Sequence, residues 1–158
     1  MIRFLSILLV ISICNTANAK WNHKEETDPN SDDTNYFLYS LSSEGRNHLG
    51  KPIGLIIRCK NDRLILYVNW GTYLGKQREV KVRFDDNDVE PQQWASSADK
   101  KALFHPQAKI MFQQMLTSKT VELETKPHSE TAIRAVFSLK GISLASHKMR
   151  RNCNTKIE

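Results

Sequence analysis

After residue 20, apolar and polar side chains alternate along much of the chain, which is the two-residue period of a strand with one buried face. The segment 78–84, REVKVRF, places Val80, Val82 and Phe84 on one face. Such alternation predicts strands of a sheet that is covered on one side. The segment 35–43 alternates in the same way and places on one face Phe37, Tyr39 and Leu41.

Two segments are predicted as strong strands because they are rich in apolar and β-branched residues. They are 53–59 and 63–70, and Lys60-Asn61-Asp62 joins them as a short hairpin connection. Turn-rich segments separate most of the other runs as well, which favours an antiparallel meander. The complete set of predicted strands is 21–26, 35–43, 53–59, 63–70, 78–84, 89–96, 120–125 and 131–139.

Two further segments show helical spacing. Pro106 stands at a first-turn position, and the apolar residues that follow recur at helical intervals through Leu116. The segment 142–152 predicts a C-terminal helix whose late basic residues suit the negative end of the helix dipole. The expected fold class is therefore α+β: a mainly antiparallel β-sheet domain, meander- or sandwich-like, with one central and one C-terminal helix.

The first nineteen residues follow neither pattern and have the layout of a secretory signal peptide. Arg3 supplies a positive charge, 4–13 is an apolar run, and Ala17-Asn18-Ala19 is a small-residue cleavage site. The apolar run is shorter than the roughly 20 residues that span a bilayer as a helix. We expect cleavage after Ala19, a single domain over 20–158, and a periplasmic protein without stable insertion into the membrane.

Export changes the interpretation of the cysteines. Cys14 leaves with the leader, so the exported chain keeps Cys59 and Cys153. An even pair in an oxidising compartment predicts one disulfide. Zinc binding is not favoured because no CxxC or HxxxH spacing supplies four ligands. A catalytic thiol is not favoured because exported thiols oxidise and no histidine follows Cys59 closely.

The charge pattern argues against nucleic acid as the partner. The formal net charge of +6 falls to +5 when Arg3 leaves with the leader. The remaining basic residues are spread along the chain apart from Lys148, Arg150 and Arg151, whereas nucleic-acid-binding domains carry a denser basic patch. We expect a protein partner in the periplasm or cell envelope.

Residue patterns in the chain do not indicate catalysis, a resident metal or a cofactor. Asp28, Asn30 and Asp32 have the first spacings of a calcium loop, but Asp33 stands where glycine is required and Tyr39 where the last carboxylate ligand belongs. The sequence has no serine-hydrolase motif, glycine-rich phosphate loop or spaced pair of histidines. We therefore expect a protein that is not an enzyme, and we assign no catalytic residue, metal ligand or cofactor.

Aromatic residues in or beside predicted turns are candidates for contact with a partner. Aromatic side chains often anchor protein interfaces. Small β domains also use such residues to close the ends of their own core, so both roles stay open. The candidates are Trp70, Tyr73, Trp94 and Phe104.

Several short motifs also occur in a recognisable order along residues 20–158. They are an apolar strand ending in Arg58-Cys59, Arg83-x-Asp85 followed by Trp94-x-x-Ser97-x-Asp99, and Phe137-x-Leu139-x-Gly141 before a basic helix and Cys153. This ordered set resembles the VasI (TagO) family of type VI secretion-associated proteins of Gram-negative bacteria. The chain departs from the family pattern at Phe84, where a shorter aliphatic residue is expected, and in a lengthened turn at 87–88.

The resemblance implies a periplasmic accessory protein of a contractile, phage-tail-like secretion machine, acting by protein contact. A second hypothesis is a phage- or prophage-encoded envelope inhibitor or exclusion factor that binds an envelope enzyme or receptor. A third is a hydrolase of cell-wall material, which would need two convergent titratable groups in a cleft. Neighbouring sheath, tube and baseplate genes would favour the first hypothesis, and phage genes the second.

Overall fold

The computed structural model describes residues 20–27, 29–30 and 33–153. The predicted leader and its cleavage site at Ala19 lie outside these residues, as do Asp28 and Asp32 of the calcium-like spacing. Within the described residues the chain forms strands β1 Asn22–Thr27, β2 Thr34–Arg46, β3 Pro52–Lys60, β4 Arg63–Asn69, β5 Glu79–Phe84, β6 Glu90–Gln93, β7 Ala95–Ser96, β8 Ala102–Phe104, β9 Thr120–Thr125 and β10 Ile133–Ser138. The helices are α1 Ala108–Thr117, α2 Ile142–Ala145 and α3 His147–Asn152.

The described strands form one hydrogen-bonded order, β6-β5-β9-β10-β2-β3-β4-β8-β7, and β1 pairs with β2. Their pairings are antiparallel. We call β1, the early part of β2, β3, β4, β8 and β7 the first half-sheet, and the end of β2, β10, β9, β5 and β6 the second half-sheet. Both half-sheets contribute side chains to one core cluster. The predicted α+β fold with a mainly antiparallel sheet is thus confirmed. The strand order is not a simple meander, because β10 pairs with β2 and β5 pairs with β9.

Strand β2 connects the half-sheets because it is long enough to pair with both. Its early residues pair with β1 and β3, and Glu44 near its end lies opposite Val136 of β10. Directly after Glu44, and before Arg46 pairs again with Pro52 of β3, Gly45 adopts a φ of +80°. A Cβ at this position would overlap the carbonyl oxygen of Arg134. Glycine therefore allows the close approach of two backbones where the strand passes from one half-sheet to the other.

Trp94 connects the half-sheets on the opposite side. The end strands of the order, β6 and β7, are consecutive in the chain, and Trp94 alone separates them. Its backbone N–H donates to the carbonyl of Arg78 at 2.8 Å, and its buried indole Nε1 donates to Gln92 Oε1 at 3.1 Å. The predicted continuous strand 89–96 was wrong in this respect, because the chain turns a corner at Trp94 and continues in the other half-sheet.

The helices lie close to their predicted positions. Met111, Phe112 and Met115 of α1 are buried in the core cluster. The predicted C-terminal helix 142–152 is divided into α2 and α3, which meet at the fully buried Ser146. Strand β8 is absent from the predicted strands, because three residues are too short a run to show a strand pattern.

Cys59 and Cys153 form the predicted disulfide, with their Cα atoms 6.3 Å apart. Cys59 lies on the core face of β3, and Cys153 directly follows α3. Each is about 1% exposed. The bridge therefore fastens the C-terminal helix to the first half-sheet.

Candidate protein-binding surface

The first half-sheet is apolar on its outer face as well as on its inner face. Ile53, Leu55 and Ile57 of β3 point into the core and are fully buried. The alternate residues Ile56 and Arg58 are only partly buried. Antiparallel sheets with one solvated face usually carry polar side chains there, so an apolar outer face indicates an interaction surface.

The cross-strand register aligns these outward residues in rows. Tyr39 of β2 lies opposite Ile56 of β3, Ile56 lies opposite Tyr67 of β4, and Tyr67 lies opposite Phe104 of β8. A neighbouring row passes through Arg58 of β3. We call the resulting surface the apolar face, and its members are Phe37, Tyr39, Leu41, Ile56, Ile65, Tyr67 and Phe104, with Arg58 among them.

The apolar face is distinct from the core. Among the described residues, the partly buried hydrophobic neighbours of the core cluster do not include any member of this face. Tyr39 is 39% exposed and Leu41 is 52% exposed. The rings of Tyr67 and Phe104 stack with their centroids 4.8 Å apart. The side chains of the face thus pack partly on one another and present the rest of their surface outward.

Arg58 places a charge within this apolar surface. Its guanidinium carbon lies 5.1 Å from the centroid of the Phe37 ring, and its Nη2 donates to Asn35 Oδ1 at 3.1 Å. Its Nε is buried and has no hydrogen-bond partner among the described residues. A buried polar group without a partner costs about 1–3 kcal/mol. Burial raises the pKa of the Tyr67 hydroxyl, an effect that the nearby Arg58 charge partly opposes.

The second half-sheet carries a charged outer face and provides an internal comparison. Glu122 of β9 accepts hydrogen bonds from Arg134 and Arg83, and Lys81 Nζ donates to Glu124 at 2.9 Å. The hydrogen bond from Arg134 and then that from Arg83 lower the pKa of Glu122 to about 2. Since one half-sheet has ion pairs where the other has aliphatic and aromatic groups, the fold does not itself require an apolar outer face.

The four aromatic residues that the sequence suggested as candidates for partner contact differ in their exposure and position. Trp70 and Trp94 are buried in the core cluster, so they close the core and do not present their rings to a partner. Phe104 belongs to the apolar face. Tyr73 is 57% exposed, but it lies in the loop after β4 and outside these rows.

Sequence reasoning missed most of the apolar face. Phe37, Tyr39 and Leu41 share a face as predicted, but it is the outer face, because Leu38 and Ser40 point inward. The available signal was the apolar character of both faces of 53–59 and 63–70. Alternation alone does not reveal which set of side chains turns inward.

Other residues of the motifs that suggested a family stabilise turns. Asp85 Oδ1 accepts hydrogen bonds from the backbone N–H groups of Thr120 at 2.8 Å and Lys119 at 2.9 Å, which lowers the pKa of Asp85. Ser97 Oγ donates to Asp99 Oδ1 at 2.6 Å and accepts from the backbone N–H of Ala102. These contacts hold the starts of β9 and β8, so they explain the residues without a binding role.

Within residues 20–27, 29–30 and 33–153, no three His, Cys, Asp or Glu side chains are grouped closely enough to hold a metal ion together. The helices in the same ranges are too short or too polar to cross a membrane. The chain matches no protein-family model, no curated protein and no solved structure. The apolar face and Arg58 are therefore the features on which a function can be proposed.

Proposed function

We propose that this protein is an exported accessory protein of the bacterial envelope that binds another protein through the apolar face. The observation that supports this proposal is the alignment of seven aliphatic and aromatic side chains around Arg58 on the outer side of one half-sheet. Aromatic residues and arginine are enriched at the centres of protein interfaces. The protein acts by contact, and no residue is assigned a catalytic role.

The compartment and the machine belong to the same proposal. The leader-like segment before Lys20 supports export, and the Cys59–Cys153 disulfide suits an oxidising compartment. The ordered motifs that resemble the VasI (TagO) family support a periplasmic partner within a type VI secretion machine. Arg58 belongs both to those motifs and to the apolar face, which connects the resemblance to the surface.

Arg58 also restricts the chemistry of the partner. The Arg58 side chain is only partly buried, and an acceptor that met its guanidinium within the apolar face would be shielded from water. A charge-assisted hydrogen bond in such a setting is stronger than a neutral one. The partner surface therefore presents a carboxylate or a backbone carbonyl within a ring of apolar side chains.

The test compares two substitutions of exposed leucines. Leu41→Asp places a charge on the apolar face, and Leu49→Asp places the same charge on a loop residue that is 71% exposed and outside the face. Both leucines are largely exposed, so both variants should keep the melting temperature of the unmodified protein. Tagged proteins are recovered from envelope extracts of a host with a type VI secretion machine, and co-purifying proteins are quantified by mass spectrometry.

The expected result is that a type VI component accompanies the unmodified protein and Leu49→Asp but is lost from Leu41→Asp. Arg58→Met should also weaken this association, because the acceptor in the partner then loses its donor. Equal recovery with Leu41→Asp and Leu49→Asp would contradict the use of the apolar face. Recovery of an envelope enzyme or receptor in place of a type VI component would support the inhibitor hypothesis.

A further inference from the structure

A second surface, formed by residues near both ends of the described chain, combines an exposed apolar side chain with basic residues. The start of the described chain and helices α2 and α3 enclose a groove of about 840 Å³. Among the residues that line it are Lys20, Trp21, Lys140, Leu144, His147 and Lys148. We call it the terminal groove.

The apolar part of the terminal groove projects outward. Leu144 of α2 is 85% exposed, so nearly all of its side chain stands clear of the protein. Trp21, which also lines the groove, is buried, and its Nε1 donates to the carbonyl of Ser138 at 2.9 Å. A projecting aliphatic group beside basic residues suits insertion at the boundary between the headgroups and acyl chains of a bilayer.

The charged part of the groove is entirely basic among the described residues that line it. Lys148 pairs with Glu25 at 2.6 Å. Lys20 and Lys140 make no ion pair with any described residue. These two lysines therefore leave positive charge in the groove that no acidic side chain of residues 20–27, 29–30 and 33–153 neutralises.

We infer that the terminal groove binds the surface of an anionic phospholipid bilayer. Leu144 enters the boundary between headgroups and acyl chains, and Lys20 and Lys140 contact lipid phosphates. Lys20 also directly follows the predicted leader in the sequence. The surface would orient the protein on the membrane and leave the apolar face available to a protein partner.

The test uses the exported protein, purified without an N-terminal tag, and measures its sedimentation with lipid vesicles. One set of vesicles contains phosphatidylethanolamine and phosphatidylglycerol, and the other contains phosphatidylcholine alone. Leu144→Asp and Lys140→Glu change the groove. Ile110→Asp and Lys109→Glu make the same changes on exposed residues of α1, which does not line the groove.

The unmodified protein and both α1 variants should bind the anionic vesicles and not the neutral ones. Lys140→Glu should lower binding at least about fivefold, because one basic residue near an anionic surface contributes about that factor and the substitution also adds a repelling charge. Leu144→Asp should reduce binding to the level of neutral vesicles, and added salt should weaken the binding of the unmodified protein.

Absence of binding to anionic vesicles would overturn the inference and leave an acidic protein segment as the groove's occupant. Equal loss in the α1 variants, or full binding by the groove variants, would also overturn it. Melting temperatures of the four variants show whether any loss is due to unfolding. Leu41→Asp should bind vesicles like the unmodified protein, so this inference and the proposed protein contact can fail separately.

Discussion

Removal of the Cys59–Cys153 bridge should reveal how much of the stability depends on fastening the C-terminal helix to β3. The appropriate change is Cys59→Ala, Cys153→Ala and the double variant. Alanine is preferred to serine because both positions are about 1% exposed, and a serine hydroxyl there would be buried without an assured partner.

The size of the effect follows from the chain length between the cysteines. They are 94 residues apart, so the bridge closes a loop that includes most of the domain. The chain-entropy relation gives about 4–5 kcal/mol for such a loop. That is a large fraction of the roughly 5–15 kcal/mol that holds a typical domain folded. The corresponding fall in melting temperature is roughly 10–20 °C.

The assay is urea unfolding of the three variants and the unmodified protein, with and without reductant. Each single variant should lose about 4–5 kcal/mol, and the double variant should lose little more, because either substitution already removes the bridge. Reductant should destabilise the unmodified protein to the level of the double variant and leave the double variant unchanged. Additive losses in the double variant, or an unmodified protein that ignores reductant, would refute the reasoning.

Two further predictions concern the second half-sheet. Gly45→Ala should destabilise the protein by at least about 2 kcal/mol in urea unfolding, because the new Cβ would overlap the Arg134 carbonyl. The control is Gly50→Ala, which is also at positive φ but in open space and should lose only about 1 kcal/mol. Equal losses would contradict the close approach of the two backbones at Gly45. The pKa of Glu122 is lowered to about 2 in the folded state, whereas its unfolded pKa is about 4.3. The stability that the Glu122 ion pairs contribute is therefore fully present above about pH 4.3 and is lost as the pH falls from there to about 2. Glu122→Gln should therefore make the melting temperature fall less steeply below a pH of about 4.5. An unchanged fall would count against the ion pairs of Glu122 with Arg83 and Arg134. The matched control is Glu90→Gln, at an exposed position of β6.

The local pattern of the sequence was enough to predict most strands of the domain. Val80, Val82 and Phe84 are buried as their alternation predicted, and β9 has the predicted bounds 120–125. The disulfide followed from counting the cysteines that lie outside the predicted leader. These predictions succeeded because a strand's two-residue period and the number of cysteines are properties of short segments or of composition.

The candidate site was much less predictable from the sequence. Phe104 was nominated, but Trp70 and Trp94 proved to be core residues, and Ile56 and Tyr67 were missed. A row of the apolar face brings together residues from four strands, and hydrogen bonds between those strands set its alignment. Such a register is non-local, so no segment read alone contains it.

The alternation of β2 was visible in the chain, yet Leu38 and Ser40 face inward while Tyr39 and Leu41 face outward. That choice depends on how the two half-sheets close over a shared core, with β2 crossing at Gly45 and the chain turning at Trp94. The period of a strand is a local consequence of its backbone geometry, whereas the side that loses contact with water depends on what the assembled sheets pack against.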